Sequence, residues 1–235
     1  MNFVDIGILL ILAICILGGY YRGFVSTVLG LCATLFSFLV GRLCIPLIAN
    51  AVRGHDSLYS MMLYYTEGAE YVAATDVELT RVPISQISRE QLKAILQKAD
   101  MPLPMDNAVT KNIATEAFSA EGITTLGDYF NQTIVCVVIN IVALLLVFLL
   151  VRLVLGFFIQ GIDYARGGYP VLWQADGPIG AGVGLLHGVL LLFVIFLLLP
   201  IGLVILPKLY EFVSESFFGE FFYRANFFLR MIPSV

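Results

Sequence analysis

The chain has 235 residues, 60% of them hydrophobic and 13% charged, with a mean hydropathy of +0.94. Soluble domains carry about 25% charged residues, so the composition indicates lipid rather than water as the main solvent. A net charge of -4 with no Lys/Arg cluster argues against a nucleic-acid surface.

In chain order, Phe3 to Tyr21 is apolar apart from Asp5. At ~1.5 Å per residue it reaches across a ~30 Å hydrocarbon core. The start, Met1 to Asp5, has no positive n-region, and no small-x-small cleavage site follows, so a retained helix is expected. Tyr20-Tyr-Arg-Gly23 reads as a tight interfacial turn with one fixed charge. The second span is expected from Phe24 to about Ile48, ending at Pro46. Ala33, Ser37 and Gly41 lie four residues apart on it, a face suited to close helix packing. Residues 1–49 thus form transmembrane helices 1 and 2.

Residues 50–130 form a polar insert in which acids outnumber bases eleven to six, a solvated acidic surface. Ser88-Arg-Glu-Gln91 has the form of a capping box, and Leu92, Ile95 and Leu96 follow at helical spacing. Met101-Pro-Leu-Pro104 should break that helix. A further helix is expected from Asn107 to Ala120, ending at Gly122.

Residues 131–207 carry transmembrane helices 3 and 4: Ile134 to about Phe158, then Ile179 to Leu199. Gly180, Gly184 and Gly188 repeat every fourth residue, so one face of the fourth helix is a smooth groove that a neighbouring helix can approach closely. Asp176 is the expected N-cap, with Pro178 just inside the start. Pro200 and Gly202 should kink or end this span. Residues 208–235 hold a Phe-rich carboxy-terminal helix, Lys208 to Met231, with seven phenylalanines. An interfacial position and packing on the bundle are both open to it.

Few polar groups fall within the spans. His187 lies about nine residues into the fourth, roughly 14 Å along it and near the bilayer centre. Two roles are open: a proton or ligand switch, or a neutral imidazole bonded to Asn140 or a carbonyl beside Gly184 and Gly188. Asp5 and Arg42 fall at similar depth on adjacent spans, so an ion pair is expected there. Arg22 and Arg152 could pair with Asp163 or Asp176, or each arginine could snorkel to the headgroups alone. No H-E-x-x-H, G-x-S-x-G or Walker loop is present. Gly180-Ala-Gly-Val-Gly184 imitates a dinucleotide fingerprint only in part, because Leu185 stands where the third glycine is needed. His55 and His187 are the only histidines, and Cys15, Cys32, Cys44 and Cys136 show no C-x-x-C spacing and are expected to be buried thiols. No enzyme activity, metal or cofactor is expected.

Three motifs carry a resemblance: Asp5 early in the first span, Gly19-Tyr-Tyr-Arg22-Gly23-Phe24 at the first turn, and Asp176-x-x-x-Gly180-x-x-x-Gly184-x-x-x-Gly188. In this order the chain resembles the colicin V production (CvpA) family of bacterial inner-membrane proteins. It departs from the family at Gly177, where an arginine is usual, and at His187, where a basic residue is. The resemblance implies a membrane protein linked to production or export of a peptide toxin, without an assigned biochemical activity.

The sequence therefore predicts an all-α membrane bundle of four transmembrane helices with a helical extramembrane insert and a carboxy-terminal amphipathic, aromatic helix. The leading function is an accessory or scaffold protein in the bacterial cytoplasmic membrane, acting through a homo-oligomer or another membrane protein. The alternative is a small oligomeric transporter or channel built around His187, Asn140 and the glycine groove. Charge and resemblance together place the insert and termini outside and the Arg22 turn inside.

Overall fold

A computed structural model describes residues 2–66, 77–99, 101–166, 168, 175–205 and 209–235. It is all-helical: α1 (Phe3–Arg53), α2 (Asp56–Tyr64), α3 (Arg89–Ala99), α4 (Met105–Ala114), α5 (Leu126–Arg166), α6 (Asp176–Ile195), α7 (Leu199–Ile205), α8 (Leu209–Ser214), α9 (Phe217–Arg224) and α10 (Phe227–Arg230). Among the described residues three stretches, Phe3–Arg53, Leu126–Ala165 and Asp176–Leu203, are long and apolar enough to cross a membrane. Ile6, Leu10, Ile14 and Leu17, at spacings of three and four along α1, are each more than half exposed. Such an apolar ridge belongs in hydrocarbon.

The chain divides into two units. The first comprises Met1–Cys44 and Leu144–Phe228. Within it α1 is broken at Gly23, whose φ of 77° is open to glycine at little cost. The two halves of α1 then run in opposite directions along α6. Before the break, Gly19 faces Gly180 and Gly184, and Cys15 faces Gly184 and Gly188. After it, Phe24 reaches Asp176 and Thr34 reaches His187. A rising residue number thus runs down α6 before Gly23 and up α6 after it, which defines a helical hairpin.

Both small-residue faces are occupied inside this unit. A Cβ on Gly180 would collide with the Gly19 carbonyl oxygen, and one on Gly184 with that of Cys15. A Cβ on Gly41 would lie 3.0 Å from the Leu144 carbonyl oxygen, and Ala33 and Ser37 are buried on the same helix. The second half of α1 continues through Pro46 instead of stopping there. Only the bond to the Arg42 carbonyl is lost to the missing N–H, a defect that membrane helices tolerate.

Pro200 does perturb its helix. Residue 200 has no N–H to offer the Phe196 carbonyl, so the Leu199 N–H takes it in a tighter turn, and Phe196–Leu198 is 3-10. Lys208, the expected start of the carboxy-terminal helix, lies outside the described residues, and from Leu209 to Arg230 the chain forms three short helices in place of one. Ser216 and Asn226 divide it by capping the helices that follow: Ser216 Oγ accepts from Gly219 N at 2.9 Å and Asn226 Oδ1 from Phe228 N at 3.1 Å. The phenylalanines of this region pack on the bundle, Phe222 and Phe228 with Phe193, and Phe228 stacked on Phe38 at 3.8 Å.

The second unit comprises Ile45–Ala143 and Leu229–Val235. The capping box forms as the sequence indicates, Ser88 N donating to Gln91 Oε1 at 2.9 Å and Gln91 N to Ser88 Oγ at 3.2 Å. α3 buries Leu92 and Ile95. α4 is shorter than expected, ending at Ala114, after which turns lead to Gly122 in the left-handed region. Helix α5 begins at Leu126, ahead of the expected Ile134, because Leu126, Tyr129 and Phe130 give its first turns a buried face. Here Phe118 and Tyr129 pack edge to face at 5.3 Å.

Candidate functional site

The candidate site lies in the first unit, at the hairpin turn. Gly23 has no side chain, and a Cβ there would overlap Asp176 Oδ2. That carboxylate oxygen accepts from Phe24 N at 3.3 Å. Asp176 is therefore not the N-cap expected of it. It is the first residue of α6, Ala175 holds the cap position without a side-chain bond, and the carboxylate is turned to the backbone of the hairpin instead. This brings together four residues singled out from sequence, Arg22, Gly23, Phe24 and Asp176.

Beside this junction is a cavity of about 600 Å³ whose walls include Arg22, Arg152, Asp163 and Asp176, with Tyr20, Tyr21, Ser26 and Gln160. Arg152 enters from α5, with Gly156 one turn later in the same wall. Arg22 is exposed and Arg152 half-buried. The expected pairing of these arginines with Asp163 or Asp176 is not made: among the described residues neither guanidinium forms an ion pair or hydrogen bond.

His187 lies near this cavity, its Cε1 3.8 Å from where a Cβ on the lining residue Gly30 would stand. Its Nε2 is 3.0 Å from Thr34 Oγ1, which also lies 3.0 Å from the Gly30 carbonyl oxygen. The single hydroxyl proton serves one of these two acceptors. When it goes to Gly30, Nε2 must itself donate. The expected alternative partner, Asn140, belongs to the second unit, where its Nδ2 donates to the Pro233 carbonyl at 3.0 Å. Thr34 was not legible as the partner. The signal for it is a short repeat, Gly23-x-x-x-Thr27 and Gly30-x-x-x-Thr34, in which each hydroxyl back-bonds the carbonyl four residues earlier.

Asp5 and Arg42 do not pair. Asp5 is fully enclosed and accepts from Asn2 N at 2.9 Å, Ser216 Oγ at 2.7 Å and Phe218 N at 2.9 Å. A carboxylate with several donors needs no cation, and among the described residues Arg42 has no ion pair. The thiols are also more varied than expected: Cys136 is buried, Cys15 and Cys44 are half-buried, and Cys32 is exposed.

The second unit has its own polar cluster. Gln132 Nε2 donates to Tyr59 Oη at 2.5 Å and to Glu121 Oε2 at 3.0 Å, while Arg53 Nε and Nη2 are buried without hydrogen-bond partners among the described residues. Burial, with Cys136 and Glu121 nearby, pushes the Tyr59 phenol above its usual value. Among the described residues no three of His, Cys, Asp or Glu converge as a metal site.

Residues 4–75 match the family described as Colicin V production protein, a stretch that contains Asp5, Arg22, Gly23 and Phe24. No curated protein and no solved structure matches the chain.

Proposed function

We propose that this chain, whose residues 4–75 match the family described as Colicin V production protein, is a four-span accessory protein of the bacterial cytoplasmic membrane. Its role is to hold a partner membrane protein, or a second copy of itself, in a complex concerned with producing or exporting a peptide toxin. The observation that carries this reading is the surface of the helices. Their small-residue faces are consumed within the chain, while ridges such as Ile6, Leu10, Ile14 and Leu17 face outward. Such a surface suits lipid and other membrane helices. No catalytic role is proposed. Size-exclusion chromatography with light scattering in a mild detergent tests it. A defined dimer or heteromeric complex supports the reading, and a protein that stays monomeric at high concentration without companions overturns it.

The transporter alternative is less well supported, because residues 12–19 fill the glycine groove and Asn140 is tied to Pro233. Flux of protons or peptide into liposomes, abolished by His187→Leu, would reverse the ranking. In the proposed orientation the insert and both termini are outside and the Arg22 turn is inside. A membrane-impermeant maleimide should then label Ser85→Cys, an exposed position, in intact cells. Labelling confined to inside-out vesicles would invert the topology.

A further inference from the structure

We propose that the cavity between Arg22 and Arg152 binds a phosphate-bearing anion of headgroup size. The proposal does not depend on the accessory role. Its first ground is charge without a counter-charge. Two guanidiniums line one cavity, and among the described residues neither has an ion-pair or hydrogen-bond partner. Taking a guanidinium half out of water beside a second one is unfavourable unless an anion is held between them.

The carboxylates in the same wall do not supply that anion. Asp176 accepts from the Phe24 N–H through Oδ2, and among the described residues its buried Oδ1 has no hydrogen-bond partner and Asp163 forms no ion pair. The cavity as a whole is formally balanced, but among the described residues its opposite charges form no ion pair with one another.

The shape and position of the cavity then specify the ligand. Paired guanidinium forks match the oxygens of a phosphate in a way that one point charge does not. A volume of about 600 Å³ is far more than a bare inorganic anion needs and lies in the range of small-molecule sites. Ser26 and Gln160 add polar groups for the remainder of such a molecule. Arg22 sits at the hairpin turn beside the exposed rings of Tyr20 and Tyr21. Tyrosines prefer the membrane–water boundary, which is the depth of phospholipid phosphates. A phosphate ester can therefore arrive either as a lipid headgroup from the leaflet or as a soluble molecule from water.

The test uses the full chain purified in a maltoside detergent, with three probes. Dihexanoyl phosphatidate carries phosphate and acyl chains, glycerol 3-phosphate carries phosphate alone, and dihexanoylglycerol carries acyl chains alone. Binding is read by calorimetry and by thermal shift. Arg22→Gln and Arg152→Gln should each weaken phosphatidate at least tenfold, whereas Arg42→Gln, in the same unit but outside the cavity, should leave it unchanged. Arg22 is exposed on the turn, so its variant keeps the test valid if the Arg152 variant does not fold. Binding of phosphatidate alone identifies a lipid headgroup; binding of both phosphates identifies the phosphate ester itself. Equal binding of dihexanoylglycerol, no binding of either phosphate, or affinity that survives loss of the cavity arginines overturns the proposal.

Discussion

The carbonyl oxygen of Cys15 occupies the space that a side chain at Gly184 would need. This contact, and the matching one between Gly19 and Gly180, sets how closely the first half of α1 lies against α6. In lipid, helices gain nothing from mutual hydrophobicity, so such close van der Waals contact is a main source of their association.

Gly184→Ala should therefore destabilise the protein by about 1–3 kcal/mol, the scale of overpacking a tight interior. Gly182 lies two residues away with nothing within 4 Å of a Cβ. Gly182→Ala should be neutral or stabilising by up to about 1 kcal/mol through helix propensity. Melting of both variants in one detergent checks the contrast, and equal effects would contradict the packing argument.

Asp5 caps the start of α9 through Ser216 and the Phe218 N–H. Asp5→Ala should lower Tm by several degrees because those buried donors lose their acceptor. Arg42→Ala should add its own effect independently. A double-mutant cycle with coupling above about 0.5 kcal/mol would restore an Asp5–Arg42 interaction.

Thr34→Val removes the hydroxyl at 3.0 Å from His187 Nε2. The expected cost is about 1–2 kcal/mol, because the imidazole is left half-buried without its partner. In His187→Leu the same Thr34 substitution should cost much less. Additive losses would show that the two side chains do not act as a pair.

Tyr59→Phe deletes the acceptor of a Gln132 bond, so the wild type should be more stable by about 1 kcal/mol near neutrality. The folded-state phenol titrates above its ordinary value, chiefly through burial. The wild-type advantage is therefore complete below about pH 10 and fades as the pH rises towards the folded-state value. Stability curves for both proteins from pH 8 to 11 test the sign. A gap that widens with pH would rule out the raised phenol.

Local chemistry was readable from the sequence wherever the interacting groups lie within a few residues of one another. The four-residue glycine spacing, the Ser88–Gln91 capping box and the disturbance at Pro200 all depend on one turn of helix, so residue order alone determined them. Ser216 and Asn226 carried the same kind of local signal, and apolar composition masked it in a run of seven phenylalanines. The remainder only the tertiary structure decided. Asp5 bonds a serine 211 positions away, His187 a threonine 153 positions away, and Arg22 and Arg152 line one cavity though 130 positions apart. Depth along a span placed Asp5 and Arg42 at one level, but depth does not say which way each side chain faces. That direction is set by how α1 folds back at Gly23 and where α6 docks, through contacts between residues far apart in the chain.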